Sequence, residues 1–217
     1  NTAPTDGKRT SRRCNDTWKE EGLAWTMQCA WVSEMLHLTA GGPNLMESAL
    51  KLVAELMELS AITAPKAAGK NYIITKVITG DELNTLADEM VQYGQQTGKH
   101  NFDRDAAGVR AAGAVLLVGI KDAKPAALNC GACGYARCAD LPAFQEGPEF
   151  SGPYCAWRLI DLGIAISSAV KTASIHNVDN RIMYRIGPVA RKIGLIDADV
   201  ALGVPLSVTG KNIYFDR

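Results

Sequence analysis

Four of the chain's six cysteines lie in one stretch, between Asn129 and Cys155. Their spacing is C-x2-C-x4-C-x16-C, and the four are Cys130, Cys133, Cys138 and Cys155. Thiolates are soft ligands, and four of them complete either a [4Fe–4S] cluster or a tetrahedral zinc site. The spacing therefore predicts that this stretch folds back on itself so that four sulfurs meet at one inorganic centre.

The residues around these cysteines favour a [4Fe–4S] cluster over zinc. Gly131 and Gly134 each follow a predicted ligand, and glycine adopts the positive φ that lets a backbone curl and turn its N–H groups toward sulfur. The apolar run 156–170 predicts a helix whose N-terminus, next to Cys155, directs its positive dipole end at an anionic centre. Structural zinc sites more often combine two short cysteine pairs, and this chain has one. Zinc and disulfides remain the alternatives.

The composition is that of a globular protein with one domain, or one domain with a small insert. Basic and acidic residues each number 23, so the formal net charge is zero and a dominant nucleic-acid surface is not expected. No apolar run is long enough to cross a bilayer. Four cysteines kept for metal imply a reducing compartment. We therefore expect a cytoplasmic protein with no membrane span and no nucleic-acid partner.

Hydrophobic periodicity predicts helices that alternate with strands. A narrow polar stripe on the second helix predicts that it is largely buried. In the last third, Gly187-Pro188 should kink or split a helix, Asp179 and Asn180 should cap its start, and Gly203 and Pro205 should break a strand. We expect an α+β fold with a helix-covered sheet. The predicted helices are 17–38, 47–62, 80–98, 103–110, 154–176 and 181–194, and the predicted strands are 72–78, 114–120 and 200–208.

Six motifs are found between residues 63 and 217: Thr63-Ala-Pro-Lys-Ala, Arg104-Asp-Ala, Leu128-Asn-Cys-Gly-Ala-Cys-Gly, Asp161-Leu-Gly-Ile-Ala, Val178-Asp-Asn-Arg-Ile-Met-Tyr and Gly210-Lys-Asn-Ile-Tyr-Phe-Asp-Arg. With these motifs the chain resembles an uncharacterised family of ferredoxin-domain proteins found in anaerobic bacteria and archaea. The resemblance covers residues 46–217, makes residues 128–155 the cluster-binding segment, and leaves residues 1–45 outside the family pattern. The segment from Asn129 to Cys155 is also similar to the cluster domain of the ferredoxin-like subunit of Rnf-type electron-transport complexes and of corrinoid iron–sulfur proteins.

The order of elements also resembles the flavin-binding nitroreductase fold, with the cysteine segment as an insertion. That resemblance implies an FMN at a homodimer interface, held by Arg12 or Arg13, by Lys66 with Asn71, and by Lys211. Cations suit a flavin phosphate, and positioned donors suit the ring nitrogens. The chain departs from the nitroreductase pattern, because Lys66 stands where that loop carries Ser and the later Asn-x-Gln is absent.

We expect a [4Fe–4S] redox protein that also binds flavin and acts as an oxidoreductase or as an electron-input subunit. Its partner would be a redox protein or a small-molecule electron acceptor. An electron-relay or assembly subunit without its own catalytic site is one alternative, and a zinc-stabilised interaction domain is the other. No residue is assigned a catalytic role.

Overall fold

Helices and strands alternate along residues 45–215, the part of the chain that the computed structural model describes. The predicted helix 17–38, together with Arg12 and Arg13, lies outside the described residues. The helices are α1 (Leu45–Thr63), α2 (Asp81–Thr97), α3 (Phe102–Arg110), α4 (Ala156–Ile175) and α5 (Ile186–Lys192). The strands are β1 (Ile73–Ile78), β2 (Ala114–Ile120), β3 (Gln145–Glu146), β4 (Ser151–Gly152), β5 (Asp179–Asn180) and β6 (Val200–Ser207).

A four-stranded antiparallel sheet in the order β1–β2–β6–β5 carries the helices on both faces. Every residue of β2 is buried, as expected for a central strand without polar side chains. Its side chains alternate between two cores: Leu116 and Val118 pack with α1 and α4, whereas Val115 and Leu117 pack with α2, α3 and α5. The prediction of a helix-covered α+β sheet is confirmed.

The strand register defines two ends of the sheet. Ile73 of β1 pairs with Ile120 of β2, and Ile120 pairs with Val200 of β6. We call this the Ile120 end; β1 and β6 begin there and β2 stops there. At the opposite end, Ala114 pairs with Leu206, and we call it the Ala114 end. The segment that contains the four cysteines leaves β2 at the Ile120 end.

The first described helix, α1, is less buried than predicted. Ala54, Met57 and Ala61 are fully buried, but Leu52 is 55% exposed and Leu59 is 60% exposed. The prediction was wrong because α1 lies in an outer layer, where it contacts α4 and one face of the sheet. Its outward side therefore stays apolar and exposed.

The last predicted helix starts five residues later than expected, at Ile186. Asp179 and Asn180 do not cap it but pair with β6 as strand β5. Pro188 falls in the first turn of α5, where a missing N–H costs no helical hydrogen bond. Gly187 lies so close to β6 that an added Cβ would stand 1.8 Å from the carbonyl oxygen of Ala201.

The strand β6 is continuous, so the predicted break at Gly203 and Pro205 was wrong. The N–H and C=O of Gly203 bond to Met183, on the side away from β2. Because backbone groups alternate along a strand, the nitrogen of Pro205 faces that same side. On that side β5 pairs only with Leu206 and Ser207. Pro205 therefore has no strand partner there, and its missing N–H costs no hydrogen bond of the sheet.

None of the helices within residues 45–215 combines the length and the apolar character that crossing a bilayer requires.

Candidate metal and cofactor site

Asp199 fixes both ends of the cysteine segment at the Ile120 end of the sheet. Its Oδ2 accepts hydrogen bonds from the N–H of Asp122, at 2.7 Å, and from the hydroxyl of Tyr154, at 2.5 Å. Its carbonyl accepts the N–H of Ser151 at 2.9 Å. Burial, with the bond to Asp199 second, raises the pKa of Tyr154 well above its ordinary range. The segment therefore leaves the sheet and returns to it at one point.

Arg191 holds the β3–β4 hairpin of the cysteine segment against α5. Its Nη2 donates to the carboxylate oxygens of Glu146 at 3.0 and 3.2 Å and to the hydroxyl of Ser151 at 3.1 Å. Its Nη1 and Nε donate to the carbonyls of Glu149 and Ala198. Hydrogen bonds from Ser151 and Arg191 lower the pKa of Glu146. One guanidinium thus fixes the approach of the chain to Cys155.

The loop around the first three cysteines curls through residues with positive φ. The φ angles are 47° at Asn129, 73° at Gly131 and 88° at Gly134. The side-chain oxygen of Asn129 accepts the N–H of Cys138 at 2.8 Å, and the N–H of Asn129 donates to the sulfur of Cys138 at 3.3 Å. This reciprocal pair brings Cys138 back beside Asn129, at the start of the loop.

A second link joins Cys130 to the first turn of α4. The indole Nε1 of Trp157 donates to the sulfur of Cys130 at 3.2 Å. The backbone N–H of Ala132 and this indole lower the pKa of the Cys130 thiol. Cys155 is the N-cap residue of α4 and is 4% exposed. The side chain that contacts Cys130 therefore lies two residues after Cys155, in the first turn of α4.

The types of the donors, although not the present positions of the four sulfurs, suit a centre held by thiolates. All four cysteines are free thiols, and N–H groups point at the sulfurs of Cys130 and Cys138 as they do in iron–sulfur proteins. Within residues 45–215, no three or more Cys, His, Asp or Glu side chains are grouped so that they could hold a metal ion. The four-cysteine ligand set stays a prediction.

A buried ion pair lies one turn along α4 and was not found from the sequence. Arg158 and Asp161 have side chains that are 1% and 5% exposed, and they pair at 2.9 Å. Arg158 also donates to the carbonyls of Lys124 and Ala67, at 2.8 and 3.0 Å, and Asp161 accepts the N–H of Ala67 at 2.7 Å. The pair therefore connects α4 to the loop after α1 and to the start of the cysteine segment.

Lys66 and Asn71, predicted to hold flavin, have structural contacts at the Ile120 end. Lys66 Nζ donates to the carbonyl of Ala61 at 2.7 Å and to that of Ile62, both in the last turn of α1. Burial lowers the pKa of Lys66, partly opposed by the charge of Asp161. The side-chain oxygen of Asn71 accepts the N–H of Ile73 at 3.1 Å and so shapes the turn before β1.

Lys211 follows β6 and is exposed beyond the Ala114 end of the sheet. Asn71 precedes β1 at the other end. The seven residues of β2 lie between these ends, and a strand of that length spans roughly 20 Å. Within one chain, the structure therefore separates Lys211 from Asn71, while Arg12 and Arg13 lie outside the described residues.

An apolar cavity of about 310 Å³ adjoins the cysteine segment. Its walls are residues 65–68, Leu128 and the outer side of α4, which contributes Trp157, Ile160 and Ile164. The indole that bonds to Cys130 is therefore also a wall of the cavity. Trp157 was not among the predicted site residues; its position two residues after the fourth cysteine was the only signal. A larger cavity, about 510 Å³, lies between the hairpin and α5 and contains none of the predicted site residues.

Comparison with known proteins identifies the family. Residues 151–217 match the profile of a family described as "Uncharacterized protein containing a ferredoxin domain (DUF2148)". An "Uncharacterized protein" of Archaeoglobus fulgidus is 46% identical over 169 residues, which cover 77% of this chain and 91% of that protein. The chain belongs to this ferredoxin-domain family. The match to the family profile includes Cys155 and begins after the other three cysteines.

Solved structures show the fold of this ferredoxin-domain protein. The FMN-dependent nitroreductase NfnB from Mycobacterium smegmatis, solved with NADPH, has a TM-score of 0.51 at 10% identity, with 76% of this chain and 80% of NfnB covered. Nitroreductase A from Vibrio parahaemolyticus has a TM-score of 0.47 at 14% identity. The match covers 75% of this chain but spans only 59% of that nitroreductase. The match to NfnB thus shows the nitroreductase-like fold that the order of elements predicted.

Proposed function

We propose that the chain is a [4Fe–4S] redox protein that also binds FMN, and that it acts as an oxidoreductase or as the electron-input subunit of one. The ferredoxin-domain family and the nitroreductase-like fold suggest a redox role. The observation that carries the cluster is the four-cysteine segment with N–H groups directed at two of its sulfurs.

Cys130, Cys133, Cys138 and Cys155 would hold the cluster, which when bound supplies one-electron exchange. The chain's own groups stabilise negative charge on these sulfurs. Asn129 and Trp157 donate N–H bonds to two of them, and Cys155 begins α4, whose N-terminal dipole favours an anion. Each of these interactions favours the more negative, reduced state of the centre.

The flavin would bind between two copies of the chain, with FMN supplying two-electron and one-electron chemistry when bound. Asn71 and Lys211 lie at opposite ends of the sheet, so both can serve one flavin only if they come from different protomers. The exposed apolar sides of α1 and α4, which include Leu52, Leu59 and Ile160, offer a surface for a second copy. Arg12 or Arg13 and Lys211 would then neutralise the phosphate.

The test is the content of iron, sulfide, zinc and flavin per chain in oxygen-free material. We expect visible absorption that bleaches with dithionite, four iron atoms per chain and released FMN. Iron without flavin would favour an electron-relay or assembly subunit. A colourless protein with stoichiometric zinc would favour the interaction domain and contradict the cluster.

The ligand assignment is tested by Cys138→Ser. We expect this variant to lose its cluster, because the sulfur bound by the N–H of Asn129 is removed. Cys29→Ser, which changes a cysteine outside the segment, is the matched control and should keep full iron. Equal iron in both variants would refute the assignment of Cys138.

A further inference from the structure

Trp157 contacts both the cysteine segment and the apolar cavity beside it. Its Nε1 donates to the sulfur of Cys130 at 3.2 Å, and its ring is a wall of the 310 Å³ cavity. The side chain is 39% exposed, so a molecule in the cavity can contact the ring directly. Any ligand that fixes the orientation of this indole also fixes the N–H···S bond.

The cavity suits an aromatic ring better than a phosphate or a sugar. Its walls are mainly apolar, and about 310 Å³ is at the lower end of the range for small-molecule sites. The two charged groups in its lining already have partners: Asp161 bonds to Arg158 and Ala67, and Lys66 bonds to carbonyls of α1. A planar ring with its polar tail in solvent is the ligand that meets these conditions.

We propose that Trp157 couples the occupancy of this cavity by a planar aromatic ring of the flavin class to the reduction potential of the cysteine-held centre. This inference rests on the proposed function. A ring packed on the indole would hold its N–H on the sulfur of Cys130, and that bond favours the reduced state. By linkage, the ring would bind more tightly to the reduced protein than to the oxidised protein, by the same factor.

The experiment compares the wild type, Trp157→Phe and Leu159→Ala on oxygen-free protein from which the flavin has been removed. Phenylalanine keeps an aromatic wall but removes the N–H. Leu159 is an exposed apolar residue of the same helix outside the cavity lining and is the matched control. The iron and sulfide content of each protein is measured first. Each protein is then titrated with reductant, with and without acridine, and electron paramagnetic resonance monitors the reduced centre. Acridine is a tricyclic ring without the redox chemistry of a flavin.

In the wild type and in Leu159→Ala, we expect acridine to raise the midpoint potential, which corresponds to at least about fivefold tighter binding to the reduced protein. In Trp157→Phe, with iron retained, we expect a midpoint potential lower than that of the wild type. Acridine should then bind the reduced protein less than about twofold more tightly than the oxidised protein. An acridine effect that is the same in Trp157→Phe and in the wild type would overturn the inference and leave the cluster intact. Wild-type protein without iron would instead overturn the proposed function, and the inference with it.

Discussion

Replacing Arg158 by methionine should be among the most damaging single changes that the chain can undergo. The Arg158 side chain is 1% exposed and pairs with Asp161, whose side chain is 5% exposed. Methionine fills similar space but leaves the Asp161 carboxylate buried, with the N–H of Ala67 as the hydrogen-bond donor that remains to it. The carbonyls of Ala67 and Lys124 each lose a guanidinium donor.

The size of the loss follows from burial. Breaking a buried ion pair by removal of one partner costs about 3–5 kcal/mol, because an uncompensated charge stays behind. An exposed pair contributes roughly 0–1 kcal/mol. The chain supplies such a pair in Arg110 and Asp88, whose side chains are 46% and 62% exposed. Arg110→Met is therefore the matched control.

Urea unfolding followed by circular dichroism measures both variants under the same conditions. We expect the free energy of unfolding of Arg158→Met to fall by about 4 kcal/mol and that of Arg110→Met to fall by less than about 1 kcal/mol. The double variant Arg158→Met with Asp161→Leu should recover part of the loss, since it removes the stranded charge. Equal losses in the two single variants, or a double variant whose loss equals the sum of its parts, would refute the reasoning.

Three further expectations follow from packing, titration and charge. Gly187→Ala should lower the free energy of unfolding by about 3 kcal/mol, because the added Cβ meets a carbonyl of β6. Gly163→Ala, on an open helical surface, is the control and should raise the free energy of unfolding by about 0.5–1 kcal/mol. Equal melting temperatures of the two variants would contradict this. Since the folded pKa of Tyr154 is raised above its unfolded value of about 10, its stabilising effect is complete below that pH and is lost as pH rises further. Tyr154→Phe should therefore be less stable than wild type at neutral pH and show a shallower alkaline loss in a pH series of unfolding midpoints; parallel curves would contradict the assignment. Lys211→Ala should weaken FMN binding at least about tenfold with iron unchanged, while Lys171→Ala should not, as flavin retention on dialysis would reveal.

Local rules were sufficient for most of the elements in the described chain. The run without polar side chains at Ala114–Ile120 is a buried central strand. α2 ends before Gly98, whose φ of 68° is the left-handed cap that glycine favours. The errors arose where a neighbour decides the outcome. Pro205 fits within β6 because β5 is short, and Ile186 begins α5 because residues before it bond to β6 instead.

In the candidate site, too, features set by local sequence were predictable and features set by long-range contacts were not. The four cysteines are visible as a pattern because their spacing is local. The contacts of Arg158 and Asp161 with Ala67 join residues that are 91 and 94 positions apart, and no periodicity encodes them. Trp157 needs the same long-range information, since its role depends on where the loop around Cys130 folds.

The contacts of Asp199 close the cysteine segment into a loop whose two ends are fixed at the Ile120 end of the sheet. Closing a long loop has an entropic cost. Here the backbone and carboxylate contacts of Asp199 offset that cost. Many small metal-binding domains unfold when their ion is withdrawn, because the ion alone gathers the chain. In this molecule, removal of the proposed cluster should therefore loosen only the loop between Asp122 and Tyr154 and leave the sheet and its helices folded, so that the cluster can be rebuilt on the same scaffold.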